Sequence, residues 1–105
     1  MNNNIVTEIV EFKLAKAMPE EEFLKIVDYL EKLFHSKQKG FIDTELVRGK
    51  EAGQWLMIQH WASLDDAKEV VKMMMKVPIT EEFRQSLDPT TVKMSLLQQV
   101  KTWTK

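Results

Sequence analysis

One of the two histidines in this 105-residue sequence, His60, lies inside a predicted strand, where an imidazole could perform acid–base chemistry. An imidazole titrates near neutral pH and can accept a proton from a phenol or an enol. Glu8 and Glu11, on the first predicted strand, could supply a carboxylate that orients the ring. The structural alternative is a half-buried His60 that is hydrogen-bonded within the sheet or at a subunit interface. We therefore treat His60 as a candidate catalytic residue with two open interpretations.

The strand that carries His60 also contains large side chains that could wall a cavity. Because side chains alternate along a strand, Trp55, Met57, Gln59 and Trp61 share one face and His60 lies on the other. One face points to the helices and the other to whatever covers the far side of the sheet. If the tryptophan face lines a cleft beneath the helices, His60 cannot serve the same site. The sequence leaves both orientations open.

Two residues outside this strand are further candidates for binding a small molecule. Met74 belongs to the run Met73–Met75, and methionine can line a pocket for varied apolar ligands, although it more often fills a core. Arg84 lies on a short predicted helix. It could anchor the negative charge of a carboxylate or an enolate, and the alternative is a solvated position on the surface. The proline-broken segment 76–87 is either a lid over a cleft or a plain helix break. We expect His35 to be exposed at a helix C-terminus, where the dipole favours positive charge.

The composition excludes several kinds of site. With no cysteine, the chain cannot form disulfides, zinc ribbons, iron–sulfur clusters or thiol nucleophiles. Two histidines and no carboxylate cluster at ligand spacing give no indication of a metal centre. Glycine-rich phosphate loops and a nucleophile elbow are absent as well. We therefore expect a site that uses neither a metal nor a bound cofactor.

Charge and hydropathy narrow the range of partners. The 15 Lys and Arg residues against 16 Asp and Glu give a net charge of −1, which offers no electrostatic attraction for nucleic acid. No apolar run approaches the roughly 20 residues of a membrane span. The first residues lack the basic and apolar regions of a secretory signal. We expect a cytoplasmic domain whose ligand is a small apolar or aromatic molecule.

Hydrophobic periodicity predicts the elements that must position these residues. Strands are predicted at residues 5–14, 41–48, 54–62 and 91–101. A helix begins at Pro19 and ends before Gly40, and a second helix begins at Ser63, whose side chain would cap it. A further short helix, residues 81–87, would be capped by Thr80. The resulting order is β-α-β-β-α-β.

The order divides into two similar β-α-β halves, residues 5–49 and 54–101, within one domain that spans 1–105. Two such halves predict an α+β, ferredoxin-like fold with a four-stranded antiparallel sheet and both helices on one face. The opposite face also carries apolar side chains, among them Ile5 and Ile9, and apolar side chains on both faces require cover on both sides. A second copy of the sheet supplies that cover most simply. We therefore expect a homodimer that forms through the open sheet face.

Three short motifs in this order resemble the dimeric α/β-barrel superfamily and, within it, the antibiotic-biosynthesis-monooxygenase-like domains. The motifs are Gly40-Phe41 at the second strand, Trp61-Ala62-Ser63 at the end of the third, and Asp65-Asp66-Ala67 in the helix that follows. The resemblance implies a dimeric α/β barrel. It also implies a range of activities: cofactor-free oxygenation of polycyclic aromatics, haem degradation, quinol oxygenation, isomerisation, or no reaction.

Departures from the family pattern narrow that range. The haem-degrading branch uses an Asn in the first strand and a Trp and a His on the second helix. Residues 7–13 contain no Asn and residues 63–76 contain neither Trp nor His, so haem degradation is not expected. Trp61 matches a cavity Trp of the cofactor-free oxygenases. Their Asn four residues earlier corresponds to Met57, which removes a hydrogen bond to the substrate.

The leading hypothesis is a homodimeric barrel that binds a small apolar or aromatic molecule in a cleft of each subunit and oxidises it with O₂. Its pocket would be formed by Trp55, Met57, Trp61 and Met74, with Gln59, His60 or Arg84 as polar contacts. The alternatives are a non-catalytic ligand-binding or stress-associated barrel and an isomerase that uses His60 as its base.

Overall fold

Residues 4–105, which the computed structural model describes, form four β-strands and three α-helices in the predicted order. The elements are β1 (Val6–Lys13), α1 (Glu20–Leu33), β2 (Phe41–Arg48), β3 (Gln54–Trp61), α2 (Leu64–Met74), α3 (Glu81–Ser86) and β4 (Lys93–Gln98). Short 3₁₀ turns occupy His35–Lys37, Pro78–Thr80 and Pro89–Thr91. The last strand is shorter than predicted because its first residues form a 3₁₀ turn, in which the Thr91 hydroxyl accepts a hydrogen bond from the Lys13 amide (2.9 Å).

The four strands form one antiparallel sheet in the order β2-β3-β1-β4. The two central strands are β3 and β1. The register of these two strands determines which side chains lie next to each other on one face of the sheet. It pairs Val6 with Trp61, Glu8 with Gln59, Val10 with Met57 and Phe12 with Trp55.

All of these paired side chains lie on the face that the helices cover. Phe23 of α1 contacts Phe12 edge-on with ring centroids 6.0 Å apart, and it lies 5.2 Å from the Trp55 ring. Phe83 of α3 also contacts Phe12, with ring centroids 5.8 Å apart. Val70 of α2 is buried in the same core. The ferredoxin-like α+β fold is therefore confirmed, with the helices on one side of the sheet.

The helix starts differ in how they are capped. The Ser63 hydroxyl accepts a hydrogen bond from the Asp66 amide (3.1 Å), so the predicted cap of α2 is confirmed. The predicted Thr80 cap of α3 is wrong. Thr80 is fully buried, and its hydroxyl points back to the carbonyls of Met74 (2.6 Å) and Val77 (2.9 Å). The Met74 carbonyl belongs to the last turn of α2, where helical N–H partners run out, so the hydroxyl supplies a donor that the helix does not.

Two glycines at the ends of β2 and β3 adopt positive φ, Gly40 at 82° and Gly53 at 76°. An added Cβ at Gly40 would lie 2.3 Å from Asp66 Oδ2 and 2.7 Å from Asp66 Cβ, whereas one at Gly53 would meet nothing within 4 Å. Gly40 therefore combines a conformational requirement with a close approach to α2.

We predict that Gly40→Ala destabilises the protein more than Gly53→Ala. Both substitutions carry the left-handed strain of about 1–2 kcal/mol, and only Gly40→Ala adds a clash with Asp66. Urea denaturation of the two variants beside the parent measures the difference. Equal losses of unfolding free energy would show that the Asp66 contact does not restrict position 40.

Candidate functional site

A cavity of about 500 Å³ lies between the helix-covered face of the sheet and the α2–α3 segment. Most of its wall is apolar, and the side chains come from all sides: the central strands, α2, α3 and β4. The apolar lining residues are Val10, Met57, Val70, Val71, Met74, Met75, Phe83, Leu87, Pro89, Val92 and Met94. Four polar side chains, Glu8, His35, Gln59 and Arg84, complete the wall. An apolar cavity with a few converging polar groups is typical of a small-molecule site.

Glu8 is a buried carboxyl group in the cavity wall. The indole N–H of Trp61 donates a 2.9 Å hydrogen bond to Glu8 Oε1 across the two central strands. Burial raises the pKa of Glu8 above its ordinary value, and the Trp61 hydrogen bond and the nearby His35 only partly offset that effect. Glu31 adds a smaller effect in the raising direction. The cavity therefore holds a carboxyl group that keeps its proton to a higher pH than an exposed one.

His35 is buried, with 3% of its surface exposed, so the prediction of an exposed residue at a helix end is wrong. The reason is that α1 ends at Leu33 and the following 3₁₀ turn directs the imidazole inward. The ring stacks on Phe41 with centroids 6.3 Å apart and meets Trp61 edge-on at 6.1 Å. Its Nδ1 is hydrogen-bonded to Glu31 Oε2, one helical turn earlier.

Arg84 and Gln59 are held by hydroxyl groups. Arg84 Nε donates to Thr80 Oγ1 (3.0 Å), and the Gln59 amide nitrogen donates to Thr44 Oγ1 (2.9 Å). Phe83, the neighbour of Arg84, packs on Phe12, which lies four residues along β1 from Glu8.

The structure decides which face of β3 points to the helices. Met57 and Gln59 line the cavity together with the predicted Met74 and Arg84. Trp61 is completely buried beside them and reaches the site through its bond to Glu8.

Two predicted site residues lie elsewhere. Trp55 packs on Phe23 and beneath the Arg48 guanidinium, which is 5.4 Å from the ring centroid, and it does not line the cavity. His60 lies on the opposite face of the sheet, where its Nδ1 is 2.7 Å from Asp43 Oδ1. His60 therefore does not contribute to the cavity.

Sequence reasoning did not identify His35 and Glu31 as members of the site. Their spacing of four residues on α1 places them on one face of the helix, and that spacing was visible in the sequence. What the sequence did not show is that the chain turns inward after Leu33. In the described part of the chain, no three His, Cys, Asp or Glu side chains converge as a metal site would require. No helix within residues 4–105 has both the length and the apolarity to cross a membrane.

A family model described as antibiotic biosynthesis monooxygenase matches residues 5–75, from β1 through α2. The match covers more than half of the chain and includes Trp61, Gln59 and the Glu31–His35 turn. This chain belongs to the antibiotic biosynthesis monooxygenase family. The resemblance inferred from the sequence motifs is thereby confirmed.

Solved structures extend the comparison of this family member to the whole fold. SnoaB from Streptomyces nogalater, a cofactor-independent oxygenase solved as a single-substitution variant, is 19% identical, with a TM-score of 0.75 over 97% of this chain and 99% of SnoaB. A nipsnap family protein of unknown function from Agrobacterium tumefaciens is 18% identical, with a TM-score of 0.68 over 96% and 93% of the two chains.

A dimeric ferredoxin-like protein from an uncultured marine organism is 10% identical, with a TM-score of 0.64 over 97% of this chain and 93% of that one. No curated protein matches the chain. At identities this low, the solved structures show a shared fold and do not indicate an activity. The activity has to be argued from the site itself.

The raised pKa of Glu8 predicts a pH dependence of stability. The folded chain holds the Glu8 proton more tightly than the unfolded chain, so the free energy of unfolding falls as pH rises from about 4.5 through the raised pKa. Glu8→Gln keeps an acceptor for Trp61 and should flatten this dependence. Urea denaturation between pH 4.5 and 8 measures it, with the exposed Glu22→Gln as the matched control. A Glu8→Gln profile parallel to that of the parent would contradict the assignment.

Proposed function

We propose that this protein binds a small aromatic molecule in the cavity and oxidises it with O₂ without a metal or a bound organic cofactor. The observation that carries the proposal is the cavity itself, whose apolar walls suit an aromatic ring system and whose polar groups are few. Membership of the antibiotic biosynthesis monooxygenase family and the fold shared with SnoaB, a cofactor-independent oxygenase, support the choice of reaction.

The chemistry of such a reaction places modest demands on the protein. An electron-rich phenolate or enolate can itself reduce O₂, so the chain has to bind the ring, shift a proton and exclude competing water. In the oxygenation of anthrone, one oxygen atom becomes the new carbonyl and the other leaves as water with the two hydrogens of the methylene carbon. The apolar lining from α2 and α3 supports the exclusion of water.

The proposed assembly is a homodimer formed through the sheet face that lies away from the helices. Val47, Leu56 and Ile58 lie on that face by the register of the strands, and so does His60. A single sheet with apolar side chains on this side needs a second layer, and an identical sheet provides one around a two-fold axis. The dimeric ferredoxin-like protein with the same fold supports this choice of partner.

A specific observation favours a non-catalytic alternative. Met57 is buried in the cavity wall at the position where the resemblance to cofactor-free oxygenases implies an asparagine. A thioether fills the space but orients a polar ligand poorly. In that case the protein binds its ligand without turnover. An isomerase that uses His60 would instead need its ligand on the opposite face of the sheet.

Filling the cavity should abolish binding and turnover together. Anthrone is the probe, and the readouts are quenching of protein fluorescence on binding and O₂ uptake in an oxygen electrode. Met74→Trp projects an indole into the cavity and should weaken anthrone binding at least tenfold, whereas Met73→Trp alters an exposed neighbour and should not. Anthrone binding without O₂ uptake in the parent would favour the non-catalytic alternative, and equal binding by both variants would remove the cavity from the proposal.

A charge on the open sheet face should separate the subunits. Ile58 pairs with Ile9 on one side and Glu45 on the other, so Ile58→Lys places a charge near the middle of the proposed interface. Light scattering after size-exclusion chromatography should give a dimer for the parent and a monomer for Ile58→Lys. Leu24→Lys, on the exposed side of α1, should stay dimeric. A monomeric parent would overturn the proposed assembly.

A further inference from the structure

The Glu31–His35 pair determines which nitrogen of the imidazole carries the proton in the neutral ring. A carboxylate only accepts hydrogen bonds, so Nδ1 of His35 must carry the proton that Glu31 Oε2 accepts. In the neutral ring, Nε2 then holds the lone pair. No other described residue is hydrogen-bonded to this ring, and His35 is part of the cavity wall. His35 therefore contributes to the cavity wall an imidazole whose second nitrogen is a proton acceptor.

Carboxyl groups and aromatic rings surround His35. Glu31 from α1 contacts the ring directly, and Glu8 from β1 interacts with it electrostatically. From β2 and β3, the aromatic rings of Phe41 and Trp61 pack against the imidazole. The hydrogen bond to Glu31 and the packing of the two rings therefore fix the orientation of the imidazole.

We propose that His35 Nε2 accepts the hydroxyl proton of a phenolic or enolic ligand in the cavity and that Glu31 is the positioning residue that holds the ring in the required tautomer. The inference rests on the proposed function, since it assumes that the ligand enters the cavity. The ligand O–H bond breaks, its proton moves to Nε2, and the electron pair stays on the ligand oxygen. The product is an aryloxide or enolate beside an imidazolium.

This step supplies the form of the substrate that reacts with O₂ in the proposed oxygenation. The ring carbon of the aryloxide bonds to O₂ and reduces it to the peroxide level, and the imidazolium returns its proton to the outer oxygen atom. Loss of the remaining hydrogen from that carbon then breaks the O–O bond, so that the inner oxygen becomes the carbonyl and the outer one leaves as water with both hydrogens. Arg84, on the α3 part of the wall, is a cation that can stabilise the oxyanion before it reacts. Glu8 is the rival proton acceptor, because it borders the same cavity.

The first test reads the tautomer of His35 in the intact protein. Only two histidines occur in the sequence, so ¹⁵N NMR of histidine-labelled protein gives two sets of ring signals, and His60→Gln assigns them. We expect the neutral His35 ring to carry its proton on Nδ1, and we expect Glu31→Gln to increase the Nε2–H form. A neutral parent ring protonated on Nε2 would overturn the proposal. This test needs no substitution of the buried His35.

The second test uses 2-naphthol as the probe without O₂, so that it reports proton transfer and not oxidation. In the parent, absorbance of the bound probe should show naphtholate at a pH about one unit or more below that of free 2-naphthol, a tenfold change in equilibrium. His35→Gln should bind the probe and lose this shift, Glu31→Gln should lose part of it, and Glu22→Gln should keep it. A shift that survives His35→Gln and disappears in Glu8→Gln or His60→Gln would overturn the assignment.

The two proposals fail in different ways. Absence of O₂ uptake with anthrone, together with a His35-dependent naphtholate shift, would remove the oxygenase and keep His35 as the proton acceptor for a bound phenol. Turnover of anthrone that His35→Gln does not change would keep the oxygenase and remove His35 as the proton acceptor. No binding of 2-naphthol to the parent would overturn the phenolic ligand class.

Discussion

The hydrogen bond from the Trp61 indole to Glu8 joins the two central strands at the cavity, and the polar part of the site depends on it. A buried carboxyl group without a partner is costly, so this donor allows a glutamate to occupy the helix-covered face of β1. The same indole packs against Phe41 and His35. One side chain therefore links β1, β2, β3 and the end of α1, and it sets the relative positions of the groups that can exchange protons.

The cavity itself follows from where α2 stops. Beyond Met74 the chain turns through the Pro78–Thr80 3₁₀ segment, and the buried Thr80 hydroxyl donates to the Met74 carbonyl in the last turn of α2. Thr80 also accepts the hydrogen bond from Arg84, so the turn that ends one helix holds the cation of the next. Of the segment predicted as either a lid or a helix break, Phe83, Arg84 and Leu87 line the cavity.

Most of the fold was predictable because it depends on patterns that act over a few residues. The alternation in β1 and β3, the apolar stripe of α1 and the Ser63 cap are properties of neighbouring side chains. The faces of β3 were not predictable, since alternation gives two sets and tertiary packing alone chooses between them. Thr80 and His35 were misplaced for a related reason: each lies in a 3₁₀ turn that hydrophobic periodicity does not predict, and each side chain is buried there.

The site was predicted only in part, and the two histidines show why residue type alone is insufficient. Each imidazole has its Nδ1 beside a carboxylate, His60 with Asp43 and His35 with Glu31. Yet the His60 side chain is 29% exposed on the sheet face proposed for the dimer contact, outside the cavity, while that of His35 is 4% exposed and belongs to the cavity wall. The two histidine–carboxylate pairs are alike in chemistry, but only the pair at His35 can act on a ligand in the cavity. With Met57 at the strand position where the family resemblance implies an asparagine, the proposed polar chemistry of the cavity comes from the end of α1, a part of the fold that the strand motifs do not describe.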